Sequence, residues 1–209
     1  MTAEIRAATE HLVLRRMTND DDALAAYRSA PAQARYQSWE TPYTLDCARV
    51  LIAQMRNVRF GQPGVWLQTG IETGGRLIGD IAVRVEGDQA RQATVGFTLA
   101  ADAQGRVFAT EALGAVMSLL FTEHEVHRIS AACDTRNDRS VALLERIGMR
   151  REAHHHKSAW WKGEWTNEYV YAILAEEWAD KKPRSRPTTA EHILGSLGRL
   201  LQRTTGAGP

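Results

Sequence analysis

The chain has 209 residues, enough for one domain with a proper core plus an appendage. It is 44% hydrophobic and 24% charged with a net charge of +1, so bulk charge points to neither nucleic acid nor a membrane surface as partner. The charge is uneven: residues 180–209 carry Lys181, Lys182, Arg184, Arg186, Arg199 and Arg203 against Asp180 and Glu191, a surplus of +4 beside a body at −3.

No apolar run approaches the roughly 20 residues of a membrane helix, and no secretory leader is expected ahead of the first strand. Cys47 and Cys133 stand far apart, in no metal or redox spacing. A cytoplasmic protein with reduced thiols is expected.

Strand and helix signals alternate along the chain. Leu12-Val13-Leu14 opens a first strand. Thr18-Asn19-Asp20-Asp21-Asp22 predicts a helix start, with the helix running through Tyr27. A short aromatic segment, 31–43, follows. Thr44 can cap the next helix, whose apolar face is Ala48, Leu51, Ile52, Met55 and Val58. Residues 65–72 and 76–86 read as strands turned by Gly74-Gly75, with Leu77, Ile81, Val83 and Val85 alternating as in a half-buried strand. A strand over 92–99 follows a Gly87-Asp88 turn. A helix over 111–123 carries Leu113, Val116, Met117, Leu120 and Phe121 at helical spacing. The next strand is 128–134. Asn137-Asp138 then starts a helix with face Val141, Leu144 and Ile147, closed by Gly148. Residues 149–158 and 166–174 form the last strand pair, turned by Lys162-Gly163-Glu164.

The stretch Gln104-Gly105-Arg106-Val107-Phe108-Ala109-Thr110 joins a strand end to a helix start. Free N–H groups and the positive end of the helix dipole converge there, which makes an anion site. Arg106 adds a permanent cation.

With Glu111-Ala112, this stretch resembles the pyrophosphate loop of the GNAT acetyltransferases. The nearest branch is the RimJ/RimL-like one, with its pattern Gln/Arg-x-x-Gly-x-Gly/Ala followed by Thr-Glu-Ala. Gln104, Ala109, Thr110, Glu111 and Ala112 match, whereas Val107 stands where the family has glycine. Asn137 and Ser140, ahead of a helix ending Arg146-Ile147-Gly148-Met149, resemble the family's Asn-x-x-Ser segment. The resemblance runs from about His11 to about Trp178. It implies an α/β GNAT fold, with a mixed, mostly antiparallel central sheet flanked by helices. It also implies acetyl-CoA as co-substrate, bound where neighbouring strands splay. The 104–110 loop would hold the pyrophosphate and Asn137 the pantetheine arm. A backbone donor for the carbonyl would lie around Phe97-Thr98-Leu99, and Ser140 beside the thioester sulfur.

Acetyl transfer needs a neutral amine, a polarised carbonyl and a proton for the departing thiolate. Ser140 is the candidate donor to the thiolate. The base is open among Glu40, Asp134, Glu164 and Glu168, because the family's glutamate position falls on Ala159. Among these, Glu40 and Glu168 are the catalytic candidates alongside Ser140. His154-His155-His156 has no evident third ligand, so no metal is expected. Trp39 and Trp160 could line the acceptor cleft.

The expected division is an acetyltransferase domain over 1–179 and a tail over 180–209. The tail comprises a basic linker and a C-terminal helical extension with Ile193, Leu194, Leu197, Leu200 and Leu201 on one stripe. The expected function is N-acetyl transfer to a primary amine, with a protein N-terminus slightly ahead of a small-molecule amine. A non-catalytic acyl-CoA-binding module is the alternative. The expected partner is the amine acceptor, with a homodimer left open, no nucleic acid and no membrane span.

Overall fold

The computed structural model describes residues 6–18, 22–87 and 91–181. Eight strands form one sheet: β1 (Arg6–Ala8), β2 (Val13–Arg16), β3 (Trp66–Thr73), β4 (Arg76–Val85), β5 (Gln92–Leu99), β6 (Arg128–Asp134), β7 (Arg150–Trp161) and β8 (Glu164–Leu174). Their order is β1-β2-β3-β4-β5-β6-β8-β7. β5 and β6 pair in parallel, and every other neighbouring pair is antiparallel. β1 escapes a reading of the sequence because Arg6-Ala7-Ala8 has no strand-favouring residue; pairing with β2 makes it a strand. Gly74 and Gly75 turn β3 into β4 with φ of 56° and 77°, the paired positive angles that a two-residue hairpin needs.

Helices α1 (Ala23–Ser29), α2 (Pro31–Ala34) and α3 (Leu45–Met55) lie between β2 and β3, and α4 (Phe108–Thr122) carries the parallel crossover from β5 to β6. α5 (Asp138–Ile147) follows β6. α4 packs on β4 and β5 through Ala112, Leu113, Val116, Met117 and Leu120, all fully buried. α1 and α3 close a second cluster with Leu24, Tyr27, Ala48, Ile52 and Leu77. Thr44 caps α3 by accepting from the Cys47 N–H at 3.2 Å, and Val58 falls beyond that helix's end. Asp22 makes no capping bond for α1, and residues 19–21 of the expected start lie outside the described residues.

Two expected faces are corrected. Leu143, not Val141, joins Leu144 and Ile147 as the buried face of α5. In β4 the run Leu77-Ile78-Gly79-Asp80-Ile81 is buried throughout, so alternation begins only at Ala82. The start of this central strand is covered on both faces, which also buries the carboxylate of Asp80.

The chain divides into two compact units, Met1–Ala175 and Glu176–Pro209. The short helix α6 (Ala175–Lys181) starts at the last residue of the first unit and supplies the first residues of the second. Of the tail expected over 180–209, Asp180 and Lys181 end α6 as helix rather than open a linker, and the remainder, with its apolar stripe, lies outside the described residues. Among the described residues, no helix is long and apolar enough to cross a membrane.

Candidate active site

β5 and β6 are hydrogen-bonded only where Gln92, Ala93 and Thr94 face Arg128, Ile129 and Ser130. Beyond that point the strands diverge. The backbone directions inside this wedge follow from the β4 pairing. Ala100 donates to Ile78 O at 2.8 Å and Glu86 to Gln92 O at 2.8 Å, so even-numbered residues of β5 turn their peptide groups toward β4. The Thr98 carbonyl accordingly lies against Gly79, where a Cβ would stand 2.3 Å from it. Odd-numbered residues turn the other way. The Phe97 and Leu99 N–H groups therefore point into the wedge. Their carbonyls are engaged: Leu99 O accepts from Gln104 Nε2 at 2.9 Å, and Phe97 O has Gln37 Nε2 at 3.5 Å.

The loop after β5 makes a 3-10 turn at Ala101–Ala103, then reverses at Gly105 with φ of 74° before α4 begins. Gly105 thus takes the left-handed backbone, and nothing lies within 4 Å of the Cβ it lacks. Val107 sits at φ −67° as the residue before α4, with its side chain 58% exposed. Valine at the family's glycine position therefore costs no backbone strain. The N–H groups of Phe108, Ala109 and Thr110 occupy the first turn, where no intrahelical acceptor exists. The Thr110 hydroxyl is buried without a partner. These orphaned donors and the open space beside Gly105 fit a pyrophosphate.

Gln104 does not offer its side chain to that site. Its Nε2 is bonded to Leu99 O, and its Oε1 accepts from Arg139 on α5. Arg139 thus stands beside the loop, 35 residues from its partner, and no local signal pointed to it. Glu111 faces away too, binding the His11 backbone N–H at 2.8 Å and Nδ1 at 2.9 Å. Burial alone would raise its pKa, but hydrogen bonding from the Thr9 side chain, and then from His11, outweighs burial and holds it below the ordinary value.

At the mouth of β6, Asn137 caps α5 by accepting from the Ser140 N–H at 3.2 Å, and Gly148 ends the helix at φ 92°. Ser140 is half-buried in the first turn of α5.

Several carboxylates cluster near this mouth. Asp134 accepts from Arg136 Nε at 2.9 Å and Nη2 at 2.7 Å. Burial alone would raise its pKa, and the Arg136 hydrogen bonds reverse this and hold it low. Glu164 is bridged to the same arginine at 2.9 Å. Both are therefore engaged. Glu168 pairs across the sheet with Asp134 and accepts from Ser158 Oγ at 3.0 Å. Glu40 is exposed. The loop over residues 36–40 bridges to this region, with Tyr36 Oη on Arg136 O at 3.2 Å and Lys162 Nζ on Trp39 O at 2.8 Å.

His154 and His156 stack at 4.1 Å, and His154 meets Tyr169 edge-on at 4.9 Å. Among the described residues no group of three metal-binding side chains converges. Burial and the nearby Asp134 and Glu168 charges push the Cys133 thiol up to about 11, so it remains protonated near neutral pH. Trp160, 56% exposed, packs edge-on with Trp165 at 5.4 Å. A buried pair that sequence reasoning missed, Arg28 with Asp80 at 2.9 Å, lies under the 36–43 segment.

The model for "Acetyltransferase (GNAT) domain" matches residues 11–150. The chain belongs to the GNAT acetyltransferase family. Acetyl-CoA is accordingly its co-substrate, and the divergence of β5 from β6 is the GNAT wedge. The uncharacterized N-acetyltransferase YnaD of Bacillus subtilis is 39% identical over 84 residues, which are 40% of this chain and 49% of YnaD, so this match spans about half of that relative. The putative ribosomal N-acetyltransferase YdaF of Bacillus subtilis is 25% identical over 178 residues, 83% of this chain and 96% of YdaF. Mycobacterium smegmatis RimJ, solved in complex with CoA-disulfide, superposes with a TM-score of 0.71 at 25% identity, covering 90% of each chain. These likenesses agree with the RimJ/RimL-like branch.

Proposed function

We propose that the protein transfers the acetyl group of acetyl-CoA to a primary amine, with the N-terminal amine of a polypeptide favoured over a small molecule. The observation that carries the chemistry is the pair of inward N–H groups, Phe97 and Leu99, opening into a wedge flanked by the α4 N-terminus and Ser140. Likeness to YdaF and RimJ carries the leaning toward a polypeptide.

Acetyl-CoA, when bound, supplies an activated thioester carbonyl. The first-turn N–H groups of α4 and Arg106 hold its pyrophosphate, and Asn137 lies along the pantetheine arm. The Phe97 N–H donates to the carbonyl oxygen as negative charge develops there, worth roughly 3–4 kcal/mol by analogy with single oxyanion donors. Glu168 takes the amine proton, directly or through a water, and the amine nitrogen bonds the carbonyl carbon as the C–S bond breaks. Ser140 donates its hydroxyl hydrogen toward the leaving sulfur. Glu168 is preferred over Asp134 and Glu164 because both of those are committed to Arg136. Glu40 is the second candidate base. An α-amine with a pKa near ~8 needs only a weak base at neutral pH.

A small-molecule amine is the second reading. The bridges Tyr36–Arg136 and Lys162–Trp39 favour it, because they tie the 36–40 loop across one side of the cleft. A non-catalytic module has two grounds, Val107 and the lack of an obvious base, and the ordinary φ of Val107 bears on the first alone. The test is a panel of short peptides with free N-termini against small primary amines, scored by free CoA thiol and by mass spectrometry of the acetylated product. Peptides are expected to turn over at least tenfold faster in kcat/KM, and the reverse order would establish the small-molecule reading.

A further inference from the structure

Tyr27 and Arg28 end the buried face of α1, and both converge on Asp80 of β4. Tyr27 Oη donates to Asp80 Oδ1 at 2.6 Å and Arg28 Nη2 to Asp80 Oδ2 at 2.9 Å. The Arg28 and Asp80 side chains are only 6% and 3% exposed. A charge pair this deep is costly to desolvate and contributes little net stability compared with an apolar pair of the same shape. Its other contacts point to a different use.

The Arg28 guanidinium lies 4.3 Å from the Trp39 ring centroid and 5.3 Å from that of Tyr43. Its Nε has no hydrogen-bond partner, so ring faces complete its surroundings. The Trp39 indole N–H returns a bond to Arg28 O at 2.9 Å. Ser29, the next residue, exchanges two bonds with the Tyr43 backbone at 2.8 and 2.9 Å. At the other end of the loop, Gln37 Nε2 reaches Thr98 Oγ1 at 3.3 Å. Asp80 is the cross-strand partner of Thr98. The 36–43 segment is thus fastened twice to one point of the sheet, beside the two inward N–H groups of β5.

We propose that Arg28 is a positioning residue for the amine acceptor: held by Asp80, its guanidinium seats Trp39 and fixes the 36–43 loop over the carbonyl end of the wedge. Its guanidinium is surrounded by Asp80, Trp39 and Tyr43, and the pyrophosphate loop lies in separate elements. This rests on the acetyltransferase reading above for its effect on turnover, but not for its effect on the loop.

The test compares wild type with Arg28→Lys, which keeps a cation for Asp80 and loses the planar surface under Trp39. Two readouts separate the outcomes. Hydrogen exchange of residues 36–43 should accelerate about tenfold or more in Arg28→Lys, while residues 104–110 exchange as in wild type. With the best peptide of the panel, KM for the amine should rise about tenfold with kcat within about threefold and acetyl-CoA Kd within about twofold. If Arg28→Lys does not fold, the apolar replacement Tyr27→Phe/Arg28→Met/Asp80→Leu restores stability without the seat for Trp39, and the same loop exchange and KM changes are expected. Unchanged exchange over 36–43, or a restored KM in the apolar variant, overturns the proposal. If wild type turns over no amine at all, the acetyltransferase reading fails, and loop exchange alone decides the role of Arg28.

Discussion

Gln104 and Arg139 are joined side chain to side chain across the wedge, and Gln104 is joined in turn to the carbonyl of Leu99 at 2.9 Å. The glutamine of the pyrophosphate motif is therefore a strut. It ties the end of β5 to the start of α5 and leaves the loop's backbone N–H groups for phosphate.

A strut and a phosphate ligand respond differently to mutation. Gln104→Leu and Arg139→Gln should each weaken acetyl-CoA by about three- to tenfold, and the double variant should be no weaker than the worse single. Calorimetry on the cycle measures this. Fully additive losses would mean that the two side chains meet CoA separately.

Ser140→Ala should lower kcat by roughly 10²-fold while acetyl-CoA Kd stays within about twofold. The capping bond into Asn137 comes from the Ser140 backbone, so the helix start survives the substitution. A folded Ser140→Ala protein with full turnover would confine Ser140 to the first turn of α5.

Val107→Gly should change acetyl-CoA affinity by less than about threefold. The natural residue already has φ −67°, so glycine relieves no strain and mainly loosens the first turn of α4, at a cost of up to about 1 kcal/mol. A tenfold tightening would mean that the exposed valine side chain obstructs the phosphates.

Much of this site was legible locally. The bounds of β5 and β6, the Asn137 cap, the Gly148 terminus and the Gly74-Gly75 hairpin all follow from short-range chemistry: alternation, a capping amide, a residue that accepts positive φ. What the sequence hid depends on pairing. The direction of the Phe97 N–H is set by the register of β4 on β5. Arg28 meets Asp80 across 52 residues, and Gln104 meets Arg139 across 35. The double-sided burial at the start of β4 arises from tertiary packing, which no alternation pattern in one strand reports.

Acid should expose the Asp134–Arg136 pair. Hydrogen bonds from Arg136 hold the Asp134 carboxyl below its ordinary value. The stabilisation is present above the unfolded carboxylate pKa of about 3.9 and is lost as pH falls through the lowered folded value. Arg136→Gln should therefore melt below wild type at pH 7, with the gap closing as pH falls below about 4. A gap that persists undiminished in strong acid would mean that Arg136 acts through packing on Tyr36 instead.

The most direct measurement of the whole account is acetyl transfer itself, followed as free CoA thiol released from acetyl-CoA with and without a peptide bearing a free N-terminus. Thiol should appear only when the amine is present, in step with N-terminally acetylated peptide, and Glu168→Gln should slow it by roughly 10²-fold or more at neutral pH. Binding of acetyl-CoA without thiol release for any peptide or small primary amine would contradict it.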